Sequence, residues 1–168
     1  RLVGSEMCIR DRYNAAMAFD RKGYNTFFAL ASFNDEKKRL AENALYMRSV
    51  FLDIDCGEGK DYATKQEAAT ALSKFLGESR LGHIGTPWIV SSGGGLHVYF
   101  PFEEDVTIAT WKPVAENLKR LAKKLGFNID ASVTGDAARI LRVPDTHNYK
   151  QEKPRKVVIK VEGGVFDF

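Results

Sequence analysis

The sequence predicts an α+β fold whose core follows a split βαβ plan. From about Arg48 onward the apolar pattern gives the order strand, helix, strand, strand, helix, strand, which is the element order of split βαβ domains. A run of three glycines joins two of these strands as a hairpin turn. With an α/β extension before the core, the 168-residue chain fits a single domain.

The first elements form the N-terminal extension. Residues 1–12 have no clear period and resemble a translated sequencing-adapter string, so we expect a non-native or disordered leader. We expect residues 13–168 to form one domain, which can be a fragment of a longer protein. Residues 13–20 predict helical turns, Tyr24–Phe33 a strand and Lys37–Met47 a helix.

The split βαβ core begins at the strand from about Arg48 to Asp55. Thr64 is a suitable N-cap for a helix that ends near Leu76. A loop is expected at residues 56–60. The later predicted elements are strands at Pro87–Ser92 and Leu96–Phe102, the longest helix at Thr107–Leu125, and short strands at Phe127–Asp130, Ala138–Val143 and Lys156–Val161.

Composition limits the possible classes of function. The net charge of +3 is too small to indicate a nucleic-acid partner by itself. The two cysteines, Cys8 and Cys56, fit no disulfide framework or zinc pattern, which favours a cytoplasmic setting (the host cytoplasm for a viral protein). No apolar run approaches the roughly 20 residues that span a membrane, so we expect no membrane partner.

Two strands carry the candidate chemistry. Successive side chains of a strand point to opposite faces, so Asp53 and Asp55 share one face of the first core strand. In the split βαβ plan the first and third strands are adjacent and antiparallel, which places His97 and Tyr99 beside these acids. We expect the helices to cover the opposite, apolar face and the acids to lie on an open face.

Asp53 and Asp55 have two interpretations. They could be ligands of Mg²⁺ or Mn²⁺, hard cations that prefer oxygen and serve phosphate chemistry. They could equally be two solvated acids at a strand end. Two close carboxylates repel each other unless a cation neutralises them, and a metal would supply that cation.

The glycine turn also has two interpretations. At Ser92, Gly93, Gly95 and His97 the backbone N–H groups, a hydroxyl and a ring nitrogen could bind a phosphate. The alternative is a plain glycine hairpin followed by a half-exposed histidine.

A third stretch, residues 130–150, contains more candidates. Arg139, Arg142 and Lys150 could bind a triphosphate or a template backbone, or they could be surface charge around a turn. Either Asp130 or Asp136 could complete the metal site. Four basic residues are candidates for nucleic-acid contact: Lys150, Lys153, Arg155 and Lys156.

In order, these stretches resemble the three motifs of the archaeo-eukaryotic primase superfamily, specifically the primase-polymerase domains of phages, plasmids and mobile elements. The matching runs are Phe51-Leu52-Asp53-Ile54-Asp55, Ser92-Gly93-Gly94-Gly95-Leu96-His97 and Asn128-Ile129-Asp130. Phage-type members continue with a run that resembles residues 139–150, except that Asp145 stands where their pattern has glycine. The resemblance covers about residues 24–160.

The resemblance implies an RNA-recognition-motif-like catalytic core and a template-dependent nucleotidyltransferase, a DNA primase or polymerase of phage or mobile-element replication. Its expected partners are a single-stranded DNA template, a primer strand and dNTP or NTP, with a helicase elsewhere in the full protein. The implied cofactors are two Mg²⁺ or Mn²⁺ ions. The implied metal-binding and catalytic residues are Asp53, Asp55 and Asp130, and the implied nucleotide-binding residues are Ser92, Gly93, Gly95, His97, Arg139, Arg142 and Lys150.

Two rival functions remain open. The first is a non-catalytic single-stranded nucleic-acid-binding module, because sheets of this plan bind single strands on an open face. The second is a repair or end-joining polymerase of the same superfamily. The first rival gives no reason for Asp53 and Asp55, which would repel phosphate without a metal.

Overall fold

The computed structural model describes residues 2–34, 38–150 and 152–167, with side chains from residue 10 onward. The helices are α1 Leu2–Asp20, α2 Lys65–Glu78, α3 Leu81–Ile84, α4 Ile108–Lys124 and α5 Ala131–Thr134. The strands are β1 Phe27–Ala29, β2 Ala31–Phe33, β3 Ala44–Asp55, β4 Trp88–Ser91, β5 Gly95–Thr107, β6 Ile140–Arg142, β7 His147–Asn148, β8 Arg155–Lys156 and β9 Val158–Val161. None of the helices in this part of the chain has the length and apolarity needed to cross a membrane.

A five-stranded sheet in the order β2-β3-β5-β4-β9 forms the centre of the fold. The long strands β3 and β5 are adjacent and antiparallel, as the split βαβ plan predicts, and Asp53 pairs with His97 across them. On their apolar face, Leu52, Ile54 and Val98 have no exposed surface. Burying a side chain of this kind contributes roughly 1.5–3 kcal/mol to folding, so this face forms the core against α2 and α4.

The two long predicted helices are confirmed with their caps. The Thr64 side chain accepts a hydrogen bond from the Glu67 N–H at the start of α2, and Thr107 does the same for Thr110 at the start of α4. These bonds satisfy N–H groups that have no partner inside the helix. Both helices therefore begin where the sequence predicts.

The predicted helix at Lys37–Met47 is wrong. Residues 35–37 lie outside the described residues, and the rest contains only a 3₁₀ turn at Ala41–Asn43 before β3 begins at Ala44. β2 pairs with this first part of β3, and Met47 is buried at 1% exposure. Strand pairing and burial outweigh the helical spacing of the apolar residues.

The predicted strand at Phe127–Asp130 is also wrong. This segment runs beside β3 but makes a single backbone hydrogen bond to it, from the Asp130 N–H to the Asp53 carbonyl at 2.8 Å. Asp130 then accepts a hydrogen bond from the Ser132 N–H and caps α5. The helix that Asp130 caps still lies against β3, but a helical backbone cannot pair with a strand, so no ladder forms.

α1 begins at Leu2 and continues to Asp20, and the assignment of residues 1–12 as a non-native or disordered leader stays a prediction. One further expectation needs correction. The second face of the sheet is not open along its whole length. The β1–β6 ribbon lies over it, with Phe28 packing on Tyr99 at a ring distance of 6.3 Å.

Candidate active site

The site lies where β3 ends beside the start of β5. Antiparallel pairing sets Asp53 against His97 and Asp55 against Gly95. The His97 Nε2 atom lies 3.8 Å from Asp53 Oδ1, and the His97 side chain is almost fully buried. Alternation along two paired strands is therefore sufficient to bring the first two motifs together.

A third carboxylate joins the site from the segment after α4. The backbone hydrogen bond from Asp130 to the Asp53 carbonyl holds it beside β3, and Asp130 lines a cavity of about 400 Å³ together with Asp55. Asp136 does not join them. It lines a different cavity with Lys112 and Lys119, and its Oδ1 accepts from the Ala138 N–H at 2.8 Å.

Asp53, Asp55 and Asp130 form what we call the acid cluster, and its members have different charge environments. Burial, followed by the negative charges of Asp55 and Asp130, raises the pKa of Asp53 to about 6. Burial also acts to raise the pKa of Asp130, but hydrogen bonds from Ser132 outweigh it and the pKa is lowered. The site therefore contains negative charge that the described side chains do not fully compensate.

His97 is neutral at pH 7. Burial, followed by the positive charges of Arg142 and Arg139, lowers its pKa to about 4. Its Nδ1 lies 3.2 Å from the Tyr99 hydroxyl, and burial and the charge of Asp53 raise the pKa of Tyr99. The Tyr99 hydroxyl can donate to Nδ1 in the tautomer that carries the ring proton on Nε2, and it can accept from Nδ1 in the other tautomer.

Arg139 and Arg142 direct positive charge at the same place. Both lower the pKa of Asp53, and Arg142 also lies over the Phe27 ring at 5.2 Å. The Nε atoms of both arginines are buried and have no hydrogen-bond partner among the described residues. Buried donors are usually paired, so a ligand with acceptor oxygens would satisfy them.

The glycine turn is shaped by close backbone contacts. A Cβ at Gly95 would overlap the carbonyl oxygen of Ile54 on β3. Gly93 has a φ of +85°, and a Cβ there would lie 2.7 Å from the Asn148 Cβ. The Ser92 hydroxyl accepts from the Gly95 N–H at 3.1 Å and is buried. The Ser92 side chain therefore stabilises the turn by a hydrogen bond within it.

The Asn148 side chain connects the glycine turn to the stretch of residues 130–150 by hydrogen bonds. Its Nδ2 donates to the Ser92 carbonyl at 3.2 Å, and its Oδ1 accepts from the Lys150 N–H at 3.1 Å. Arg155 adds a hydrogen bond from Nη1 to the Gly93 carbonyl at 3.3 Å. The backbone hydrogen bond to Asn148 holds Lys150 near the glycine turn. The Lys150 side chain is exposed.

Several residues of the site could not be predicted from the sequence. Lys60 lies 2.7 Å from Asp55 Oδ2, and Lys65 Nζ donates to the Ser91 hydroxyl at 2.8 Å. Asn148 was visible only as one position of the resembling run. The apolar pattern contains no signal for these contacts, because each depends on how a loop or helix end meets the sheet.

The acid cluster fits divalent metal ions in donor type and in charge. Three carboxylates supply hard oxygen ligands, and the raised pKa of Asp53 shows that a cation would be favourable there. In the present arrangement, no group of three His, Cys, Asp or Glu side chains in the described residues is close enough to hold an ion. Asp55 is turned toward Lys60 and Asp130 toward Ser132, so binding requires these side chains to rotate.

Solved structures that are similar to this chain include one from a cyanophage and one from Mycobacterium tuberculosis. The AEP domain of the cyanophage S-2L primase-polymerase matches with a TM-score of 0.63 and 14% identity over 92% of this chain and 71% of that chain. The polymerase domain of Mycobacterium tuberculosis ligase D, in complex with DNA, matches with a TM-score of 0.51 and 16% identity over 78% of this chain and 50% of that chain. No family model and no curated protein sequence matches the chain.

Both similar structures belong to the archaeo-eukaryotic primase superfamily. The resemblance that the three motifs carry is therefore confirmed at the level of the fold, and the α+β fold class is confirmed with it.

Proposed function

We propose that the chain is a template-dependent nucleotidyltransferase that adds nucleotides to the 3′ end of a nucleic-acid strand. The observation that carries this proposal is the convergence of Asp53, Asp55 and Asp130 beside a buried His97 and a glycine turn. The fold similarity to a primase-polymerase domain supports it. We further propose a role in phage or mobile-element replication, with a helicase elsewhere in the full protein.

Within this function the protein side chains act by charge and position. In the tautomer with its proton on Nε2, His97 would donate a hydrogen bond to a phosphate oxygen of the incoming nucleotide and keep the proton. Arg139 and Arg142 would use their unpaired Nε groups to bind the same phosphates. The glycine turn, with Gly93 and Gly95, allows a phosphate to approach the backbone. This is electrostatic stabilisation of a phosphoryl transfer.

Asp53, Asp55 and Asp130 would hold two Mg²⁺ or Mn²⁺ ions. When bound, the ions would activate the attacking 3′-hydroxyl and stabilise the attacking and leaving oxygens of an in-line displacement. The side chains would orient the ions against the start of β5, where His97 lies.

The first test is a primer-extension assay with labelled primer on single-stranded DNA, dNTPs or NTPs, and Mg²⁺ or Mn²⁺. Wild type is compared with the double variant Asp53→Ala/Asp55→Ala, with a parallel reaction that lacks primer. We expect metal-dependent extension that the double variant loses. Product formed in the reaction without primer would show primase activity in addition to polymerase activity.

The third acid is tested with a matched pair of single variants. Asp130→Ala is expected to abolish extension because Asp130 lies beside Asp53, whereas Asp136→Ala is expected to retain most of it because Asp136 lines another cavity. The opposite result would show that Asp136 is the metal ligand. Magnesium-independent DNA binding, with no extension, would instead favour a non-catalytic binding module.

A second candidate function is repair or end joining. The fold similarity to the ligase D polymerase domain favours it. A preference for gapped, 5′-phosphorylated substrates over simple primed templates would support repair, and the reverse preference would support replication.

A further inference from the structure

Two polar groups face the ring of His97 inside the protein. Its Nδ1 atom lies 3.2 Å from the Tyr99 hydroxyl oxygen, and its Nε2 atom lies 3.8 Å from Asp53 Oδ1. His97 is 2% exposed and Tyr99 is 9% exposed, so water has little access to the contact between them. One ring nitrogen therefore faces the hydroxyl, and the other faces the acid cluster.

The Tyr99 hydroxyl is held in place by the packing of its ring. Tyr99 follows His97 by two residues on β5, so the two side chains lie on the same face of the sheet. The two rings meet edge to face with their centroids 6.1 Å apart, and Phe28 of the β1–β6 ribbon packs on the Tyr99 ring at a centroid distance of 6.3 Å. The ring makes both of these contacts, so Tyr99→Phe would keep them and remove only the hydrogen bond to His97.

The contact with Tyr99 distinguishes the two neutral tautomers of His97. With the ring proton on Nε2, the Tyr99 hydroxyl donates to Nδ1 and both groups are satisfied. With the proton on Nδ1, the hydroxyl must accept, and its own hydrogen then finds no other acceptor among the described residues. Leaving a buried donor unpaired costs more than one hydrogen bond contributes. The Asp53 carboxylate also favours a proton on Nε2, but only weakly, because their separation of 3.8 Å is longer than a hydrogen bond.

We propose that Tyr99 is a positioning residue that keeps the ring proton of His97 on Nε2 and so presents a hydrogen-bond donor to the incoming nucleotide. This inference rests on the proposed function, in which His97 binds a phosphate oxygen of that nucleotide. An unprotonated Nε2 would present a lone pair to the oxygen, which is itself an acceptor, and the two would repel each other. Tyr99 makes no contact with the nucleotide in this arrangement and acts only through His97.

The tautomer is measured directly by long-range ¹H–¹⁵N correlation NMR at about pH 8, where an ordinary histidine is neutral. The ¹⁵N shift of each ring nitrogen shows whether it carries the proton, and His97→Asn identifies the His97 signals among those of the three histidines. We expect the proton on Nε2 in wild type. In Tyr99→Phe we expect the fraction protonated on Nδ1 to rise roughly fivefold, because one hydrogen bond is lost. Tyr46→Phe, which removes the hydroxyl of an exposed tyrosine, is the matched control and should leave the His97 signals unchanged.

The kinetic test follows primer extension as a function of dNTP concentration. Tyr99→Phe is expected to raise KM for the dNTP by roughly fivefold while kcat stays within about twofold, because ground-state and transition-state binding are weakened together. In the His97→Asn background the same substitution should have no further effect, because Tyr99 acts through His97. A ring-fluorinated tyrosine at position 99, whose hydroxyl is a stronger donor and a weaker acceptor, should keep KM at or below the wild-type value. Tyr46→Phe should leave both constants unchanged, and circular dichroism melting of every variant checks folding.

Three results would overturn the inference. The first is a ring proton on Nδ1 of His97 in wild type. The second is a tautomer or a KM that Tyr99→Phe leaves unchanged. The third is a rise in KM that persists in the His97→Asn background, which would give Tyr99 a role independent of His97. If wild type makes no extension product, the proposed function fails, and the NMR measurement still decides whether Tyr99 fixes the ring proton. If wild type extends primers and one of the three results is found, the inference alone fails.

Discussion

At Gly95, β3 and β5 approach so closely that no side chain fits between them. A Cβ there would overlap the Ile54 carbonyl oxygen, so Gly95→Ala must push the two strands apart. We expect this substitution to lower the free energy of unfolding by about 2–4 kcal/mol, measured by urea denaturation.

Gly94→Ala is the matched control for this prediction. A Cβ at Gly94 meets nothing closer than the Asn148 side-chain nitrogen at 3.7 Å, which is an ordinary contact. We expect a change of less than about 1 kcal/mol there. Equal effects at the two positions would show that the turn tolerates either side chain and that the close strand approach does not govern stability.

Lys60 acts as an internal counter-cation for Asp55. Its ammonium group lies 2.7 Å from the carboxylate, and a divalent ion that uses Asp55 must displace it. Lys60→Gln is therefore expected to tighten Mn²⁺ binding in the absence of substrate by roughly two- to five-fold, as is typical of a solvent-exposed ion pair. The measurement is a titration of Mn²⁺ followed by electron paramagnetic resonance.

The control is Lys74→Gln, which removes a lysine remote from the acids. Unchanged or weaker Mn²⁺ binding in Lys60→Gln would mean that Asp55 is not a metal ligand, or that Lys60 does not compete for it.

At the residue scale, sequence reasoning works where strand alternation sets side-chain direction. The pairing of Asp53 with His97 follows from alternation and topology alone. The contacts of Lys65 and Asn148 do not, because they depend on where a helix end and a loop meet the turn. Asp145 is an intermediate case. Its φ of +69° is in the left-handed region that favours glycine, and the resembling family has glycine at this position.

At the scale of elements, the C-terminal end of α1 is held to β7 by one carboxylate. Asp20 is buried, and its oxygens accept from the His147 N–H at 2.6 Å and lie 2.9 Å from His147 Nδ1. Burial acts to raise the pKa of Asp20, but the hydrogen bonds from His147 outweigh it, and the pKa is lowered from the usual 3.8.

A lowered carboxylate pKa stabilises the fold above the unfolded pKa and stops doing so as the pH falls through the folded value. We expect Asp20→Asn to lower the free energy of unfolding by about 1–2 kcal/mol at pH 7. The difference from wild type should shrink below about pH 4. Urea denaturation at pH 7, 5 and 3 measures it.

Asp11→Asn, on the exposed part of α1, is the control and should match wild type at each pH. If the free energy of unfolding of Asp20→Asn is lower than that of wild type by the same amount at pH 3 as at pH 7, packing and not the charge of Asp20 holds α1 to β7.

Two element predictions failed for the same physical reason. Residues 38–47 have helical spacing, and residues 127–130 have the composition of a strand, but neighbours decide both outcomes. The first part of β3 pairs with β2 and so belongs to the sheet. The cap at Asp130 ends the segment that runs beside β3. Long elements such as α2 and α4 are predictable because their own apolar faces and N-caps determine them.

At the scale of the whole molecule, the fold encloses one face of the sheet at one end and leaves the acids accessible at the other. The β1–β6 ribbon covers Tyr99, and Tyr99 in turn contacts His97. The sequence predicts the sheet but not this cover, because the strands of the ribbon are each three residues long and come from opposite ends of the chain. The cover buries Tyr99, whereas Asp55 and Asp130 line a cavity at the other end.

Metal binding at Asp53, Asp55 and Asp130 is expected to couple the stability of the fold to its function. Without metal, the charge of Asp53 is unfavourable because its carboxylate is buried and because Asp55 and Asp130 are near, so Asp53→Asn should be more stable than wild type by about 1–3 kcal/mol at pH 7. With Mg²⁺ or Mn²⁺ at about 100 times its dissociation constant, wild type should gain about 2.7 kcal/mol, or roughly 5–10 °C in Tm, and the variant little. The variant's advantage in stability would then disappear on metal addition, and the order would reverse where that advantage is below about 2.7 kcal/mol. Asp105→Asn, an exposed acid paired with Arg48, controls for loss of a carboxylate and should respond to metal like wild type. A metal response that is equal in Asp53→Asn and wild type would contradict the assignment of Asp53 as a ligand, since the stabilisation must disappear with the group that binds the ion.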